Sequence, residues 1–317
     1  MNILVTGAAG FIGFHLIKNL IKDKKNKILG LDSLNPYYNI KIKIKRLELL
    51  KKNKNFYFKK KNLGNVKELK KIISKFKPEE VFHFAGQPGV LYSFRNPSSY
   101  KKNNIKATQN LCKICSDSKI KKFIFASSSS VYGDQKKFPI KEKFKKNPKN
   151  YYAKTKNECE KIVRNFFLDS QIDYIIYRFF TVYGPLGRPD MFIHKFFDKI
   201  KRNKKIQIYN YGKNYRDFTY VDDVIKLILI HKKLKSKFDI YNIAKSKPIK
   251  TSSVISLIKR IYRRREYKIE YVKSAKGEML KTHGCNKRIM NELKKFKFTD
   301  FEKGLKKTFN EYKKYGF

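Results

Sequence analysis

The sequence predicts an α/β fold: a doubly wound parallel sheet followed by a smaller α/β C-terminal region. Three observations carry that expectation. Strand-like runs alternate with helical periods over roughly the first 180 of the 317 residues. Those runs are apolar almost throughout, as strands covered on both faces are. A glycine-rich turn, "TGAAGFIG" at 6–13, sits between the first strand and the first helix.

The elements justify themselves in order. "NILVTG" is a short β-branched strand ending in glycine, and "FIGFHLIKNLIKD" follows with apolar residues at helical spacing. "KILGLD" is a second strand ending in an acid. "VKELKKIISKF" reads as helix, "EEVFHFAG" as strand and "NNIKATQNLCKIC" as helix. "KKFIFASSSSVYG" is a strand running into a serine-rich turn. "YYAKTKNECEKIVRNFFLD" is a long helix, and "DYIIYRFFTVYGP" is one more strand. Beyond residue 180 the pattern loosens into glycine- and proline-containing turns at 184–220, with helices expected near 192–203, 221–233 and 251–262. "FTDFEKGLKKTFNEYKKY" closes the chain as an amphipathic helix. The expected division is 1–180 for the sheet domain and 181–317 for the smaller region, with the chain returning to the sheet near 215–245.

Composition excludes several classes. Hydrophobic residues make up 41%, enough for a real core beside 32% charged residues. No apolar stretch approaches the ~20 residues of a membrane span, and the chain begins on a strand rather than a secretory leader. A cytoplasmic protein without a membrane span is expected. Net charge is +50, yet lysine is spread along the whole length and no nucleic-acid-binding motif accompanies it. It reads as compositional drift with no specific nucleic-acid partner. The local run Arg263-Arg264-Arg265 is a basic-patch candidate, read rather as a solvated helix end. Cys112 and Cys115 have C-x-x-C spacing on a predicted helix. With no second Cys/His pair nearby they read as buried small hydrophobes, not as a metal or redox site, and no disulfide or metal is expected.

Gly7, Gly10 and Gly13 let backbone approach a pyrophosphate at a helix N-terminus, where free N–H groups favour negative charge. Asp32 ends the second strand 19 residues after Gly13, placed for the 2′-hydroxyl of NAD and against the 2′-phosphate of NADP. A Rossmann-type sheet binding NAD follows. Tyr152 and Lys156 lie at i,i+4 on one helical face. An ammonium beside a phenol favours the phenolate, which makes tyrosine a usable base near neutral pH. A hydroxyl of the "SSSSVYG" turn can hold the substrate oxygen. Arginine is scarce, 12 of 76 basic residues, so the Arg188 of "GPLGRPDM" stands out.

"TGAAGFIG", "SSSSVYG" and Tyr152–Lys156 resemble the extended short-chain dehydrogenase/reductase family, in its sugar-nucleotide epimerase/dehydratase branch. With "LDSLNPYYNIKIKIKRL", "HFAGQPGVLYSFRNP", "RFFTVYGPLGRPDM" and "GKNYRDFTYVDDV", the chain looks most like UDP-glucuronate 4-epimerases. The resemblance implies NAD held by Gly7, Gly10, Phe11, Ile12, Gly13, Asp32, Asn62, Leu63, Ala85, Gly86, Asn104, Tyr152 and Lys156. It implies Tyr152 as base with Lys156 and Ser128 as catalytic partners. Ser127, Ser128, Ser129, Thr181, Arg188 and Arg216 would meet the substrate, and a homodimer would form through helices near 100–115 and 152–168. Dehydratases of this branch carry an acid directly after the catalytic hydroxyl, where this chain has Ser129 and Ser130; that favours epimerisation. A uronic acid brings a carboxylate that a guanidinium can grip through two parallel hydrogen bonds. The grip would hold the 4-keto intermediate, a β-keto acid, away from the geometry that loses CO2. Departures from the family are Asn62 in place of an adenine-contacting Asp, Cys285 in place of an Asp, and "SAKGE" at 274–278, where Lys276 would substitute for a nucleotide contact. The competing expectations are a 4-epimerase of neutral UDP-hexose or UDP-N-acetylhexosamine, and a non-catalytic nucleotide-sugar or nucleic-acid-binding protein on the same fold.

Overall fold

The structure, a computed structural model, describes residues 1–234, 238–263, 267–273, 279–293 and 295–316. Arg264, Arg265 and Lys276 lie outside the described residues. In chain order the main elements are β1 (Asn2–Thr6), α1 (Phe11–Leu20), β2 (Lys27–Asp32), α2 (Ile40–Lys51), β3 (Phe56–Lys60), α3 (Val66–Phe76), β4 (Glu80–His83), α4 (Ala107–Ser116), β5 (Lys122–Ser128), α5 (Tyr151–Phe167), β6 (Asp173–Phe179), α6 (Phe192–Lys201), α7 (Val221–His231), β7 (Phe238–Ile243), α8 (Thr251–Tyr262) and α9 (Phe301–Tyr315). β1–β7 form one sheet in the order β7-β6-β5-β4-β1-β2-β3, every pair parallel. The order reverses between β1 and β4, so their carboxyl ends open the crevice in which ligands of such sheets sit.

Alternation along the strands divides the core into two layers. Ile3, Val5, Phe82, Ile124 and Ile175 face α1 and α7. Leu4, Val81, Phe123, Phe125 and Ile176 face α3, α4 and α5. Cys112 and Cys115 are fully buried in this second layer with free thiols, and burial pushes both thiols up, so they remain protonated. A separate core gathers α6, α8 and α9 around Phe196, Phe197, Phe218, Val254 and Leu305. Short ribbons, 206–209 with 269–272 and 215–216 with 249–250, flank it.

Three elements differ from the sequence expectation. β3, "FYFKK", was not predicted as a strand; it is a five-residue edge with Tyr57, Lys59 and Lys60 exposed, and so carries little apolar signal. α2 was also missed, because "IKIKIK" shows a two-residue alternation although its buried residues are Ile42, Lys43, Arg46, Leu47 and Leu50. The expected single strand 173–185 is two. The chain leaves the sheet at Phe180, and Thr181–Tyr183 pairs in parallel with Phe218–Tyr220 instead. No helix among the described residues is long and apolar enough to cross a membrane.

Candidate functional site

One cavity of about 390 Å³ opens at the carboxyl ends of β1, β4 and β5. At its dinucleotide end β1 runs into the glycine turn. Gly7 has φ +73°, and a Cβ there would lie 2.6 Å from the Phe84 carbonyl carbon. A Cβ on Gly13 would meet the Gly7 oxygen at 2.2 Å. Only glycine allows α1 to start this close to the strand end. Gly10 caps α1 with no side chain bonding the first-turn N–H groups, so that turn keeps donors for an anion. Asp32 accepts from the Ala9 and Leu34 N–H groups, at 3.1 and 2.8 Å, and both its oxygens are fixed at the end of β2. Phe11, Ile12, Asn62, Leu63, Ala85 and Gly86 line the same walls. Asn62 closes its own turn by accepting from Gly64 N–H. These donors, apolar walls and acidic ribose position fit NAD.

Asn104 is the exception. It is fully buried behind the cavity wall, in a π-helical turn at Lys101–Lys106. Its amide accepts from Gln87 N–H at 2.6 Å and donates to Gln87 O and to Thr155 Oγ1. Both ends of the side chain are used in tying the Gly86–Gln87 turn to α5, so its place is that of a support rather than a lining contact.

β5 ends at Ser128, whose hydroxyl caps the following 3₁₀ turn by accepting from Ser130 N–H. Asn150 caps α5 through Ala153 N–H, which sets Tyr152 in the first turn. Lys156 is buried. Its ammonium donates to Ala126 O at 2.6 Å and lies 4.9 Å over the Phe125 ring. Ser127, Ser128, Ser129, Tyr152 and Lys156 all line the cavity.

The far end is formed by Thr181, Arg188 and Arg216 with Met191, Met279 and Thr282. Here the structure alters the reading of Arg188. Its Nε and Nη2 already make the two parallel bonds expected for a substrate carboxylate, at 3.0 and 2.5 Å, but to Asp190. A partly desolvated guanidinium needs an anion, and the one two residues away supplies it. Tyr37 donates to Asp190 at 3.1 Å and joins this loop to the segment after β2; burial and Asp190 push its phenol up to about 12. Nη1 of Arg188 is not among the atoms that bond Asp190. Arg216 donates to the Tyr215 and Leu280 carbonyls. Beneath it Asp217 accepts from Ser246 and Gly284 N–H groups. Cys285 is buried and does not line the cavity; its N–H donates to Ile140 O.

Every predicted site residue except Asn104 is thus brought to one cavity. Sequence reasoning missed Arg46, Asp190, Glu160 and Arg178. Arg46 is fully buried and donates to the Ala9, Leu186 and Gly187 carbonyls and the Tyr38 hydroxyl. Glu160 and Arg178 form a buried pair behind Ser127. The scarcity of arginine was the available signal: a chain that writes lysine nearly everywhere keeps arginine where a planar fork is needed.

A family model described as NAD dependent epimerase/dehydratase family matches residues 3–244. The chain is similar to a UDP-glucuronate 4-epimerase of Thermodesulfobacterium geofontis, with 36% identity over 309 residues that cover 97% of this chain and 94% of the relative. Among solved structures, the UDP-glucuronic acid 4-epimerase of Bacillus cereus in complex with UDP-glucuronic acid and NAD superposes with a TM-score of 0.93 at 30% identity, covering 99% of both chains. The UDP-glucose 4-epimerase of Thermotoga maritima with UDP-glucose superposes with a TM-score of 0.90 at 28% identity, again over 99% of both.

Proposed function

The chain belongs to the NAD dependent epimerase/dehydratase family, and on that premise we propose that it is an NAD-dependent 4-epimerase converting UDP-glucuronate to UDP-galacturonate. The observation that supports the reaction class is that, among the described residues, no carboxylate lines the sugar end of the cavity, the nearby Asp190 being spent on Arg188. Asp32, at the ribose end, is the single carboxylate among the described residues lining the cavity. An elimination of water across C5–C6 needs a carboxyl group there, and epimerisation does not. The acid substrate is supported by what replaces it: the Ser127–Ser130 hydroxyls, Thr181 and Arg188.

Bound NAD+ supplies the reversible acceptor for the hydrogen on C4. Tyr152 takes the proton of the sugar 4-hydroxyl and returns it after the 4-keto sugar has turned over. Ser128 holds the C4 oxygen at the end of β5. Lys156, fixed on Ala126 O, keeps positive charge beside Tyr152. Arg216 and the turn at 279–282 hold the nucleotide while the sugar turns. Arg188 meets the sugar carboxylate through Nη1, with Asp190 fixing the plane of the guanidinium.

Mixing the purified protein with UDP-glucuronate, without added NAD, and following anomeric protons by NMR tests the reading. A UDP-galacturonate signal rising to a constant ratio is expected. A UDP-pentose product would show decarboxylation and refute it. Tyr152→Phe should lower turnover by about 10²- to 10⁴-fold while NAD co-purifies; unchanged turnover would remove Tyr152 from its role. Arg188→Ala should lower kcat/KM on the uronate by about 10- to 100-fold and on neutral UDP-hexoses much less. One observation favours the neutral-sugar reading: Asp190 already neutralises Arg188. Equal losses on both substrates would select that reading. Homodimerisation through α4 and α5 is part of the proposal, and light scattering on the purified protein tests it.

A further inference from the structure

Tyr152, Lys156 and Glu160 form an i, i+4, i+8 stripe along α5. Lysine and glutamate four apart on a helix ordinarily pair. Here they do not. Lys156 bonds Ala126 O, and Glu160, only 1% exposed, is taken from the other side. Arg178 of β6, 2% exposed, forks onto it from Nε and Nη2 at 2.8 and 2.7 Å. Lys146 reaches Oε2 at 3.3 Å, and the Ser127 hydroxyl donates to Oε1 at 2.6 Å. Arg178 is itself held by the Tyr132 hydroxyl and Glu142 O, and Tyr132 by Asn242. Burial alone would raise the Glu160 carboxyl; the bonds and charge of Arg178 outweigh it, and the group stays ionised.

A free Glu160 carboxylate, one helical turn on from Lys156, would pair with its ammonium and offset that positive charge. We propose that Arg178 and Lys146 are positioning residues that cage the Glu160 carboxylate on the β6 side of α5 and so leave the Lys156 ammonium unneutralised beside Tyr152. The inference rests on Tyr152 being the base. The cage also commits the Ser127 hydrogen to Glu160, so Ser127 can only accept from a sugar hydroxyl.

The other ionisable groups around this stripe do not take over the role. His83 of β4 is buried and pushed down to about 3, hence neutral. Cys112 of α4 and Cys159 of α5 are held protonated by burial. Tyr100, ahead of α4, packs edge-on to Tyr152 at 6.2 Å; burial raises its phenol, and its hydroxyl is committed to Pro88 O and Gly89 O. Tyr37 and Arg188, from the cavity side, are bound to Asp190. β5 offers only Phe125, Ala126 and Ser127 at this level.

The test is the pH dependence of kcat in the NAD-loaded enzyme, with UDP-glucuronate, or with UDP-glucose if the uronate is not turned over. Arg178→Met should move the rising limb to higher pH by about one unit, with little change in KM. Lys146→Met should move it less, and the double variant most. Adding Glu160→Gln to any of them should return the limb to its wild-type position, because the competing carboxylate is then gone. A limb that does not move, or that stays displaced in the Glu160→Gln background, overturns the cage. If Arg178→Met does not fold, Lys146→Met leaves the fork intact and decides by the same criterion. Tyr152→Phe separates the premise from the inference. A Tyr152→Phe variant that still turns over refutes Tyr152 as base, whereas an inactive one, together with an unmoved limb in Arg178→Met, refutes only the cage.

Discussion

Arg46 donates to three backbone carbonyls and a hydroxyl, and among the described residues no carboxylate is its partner. It ties the Ala9 carbonyl of the glycine turn to the Leu186–Gly187 carbonyls of the loop that carries Arg188. Arg178 and Arg188 fork onto carboxylates of their own chain, while Arg202 and Arg260 lie on the surface with 60% and 64% of their side chains exposed. Removing Arg46 would strand buried carbonyls, each costing about 1–3 kcal/mol. Arg46→Met should therefore lower unfolding free energy by about 3 kcal/mol or more, measured by urea titration, and weaken NAD retention through the shared loop. Tyr152 and Lys156 could be placed on one face from their local i,i+4 spacing, and Ser128 was singled out by the resemblance of its turn; the structure brings all three to the cavity wall. Asp190 was not, since a carboxylate two residues from an arginine has no fixed meaning until the loop is folded. Asn104 was legible as important but not as a support, because its partners Gln87 and Thr155 come from other elements.

At the scale of elements, Asp217 follows the short 215–216 strand and gathers the 245–247 and 282–284 loops beneath Arg216. Burial raises its carboxyl to about 6, against the bonds it accepts from backbone N–H groups. The sign follows from linkage. A carboxyl raised above its unfolded value, near 3.8, binds more protons in the folded state between the two values, so its ionisation removes stability as pH rises through about 4 to 6. Asp217→Asn abolishes that slope. Urea midpoints at pH 4 and pH 7 should show the variant gaining on the wild type at the higher pH, by up to about 3 kcal/mol; a constant difference would contradict the assignment. Elements with strong periods, such as α1, α3, α5 and β1, were readable from the chain. β3 and α2 were not, because an edge strand keeps few apolar residues and α2 buries a lysine and an arginine among its apolar ones.

For the whole molecule, the net charge of +50 opposes compaction and attracts anionic ligands from a distance. Both effects are screened beyond a Debye length of about 8 Å at physiological salt. Raising NaCl from about 0.05 to 0.5 M should raise Tm by several degrees while lowering kcat/KM for the nucleotide sugar; a flat Tm would mean the charge is already neutralised by bound ions. The sequence by itself determined the alternating layers, the dinucleotide turn and the Tyr152–Lys156 pair. Each depends on residues a few positions apart, whose periodicity and backbone freedom act locally. Only the tertiary structure decided that Arg188 faces Asp190, that Glu160 turns to Arg178 rather than Lys156, and that Asn104 stands behind the wall. A charged or amide side chain has several partners within reach of its own element, and the choice is made by what burial brings from the others.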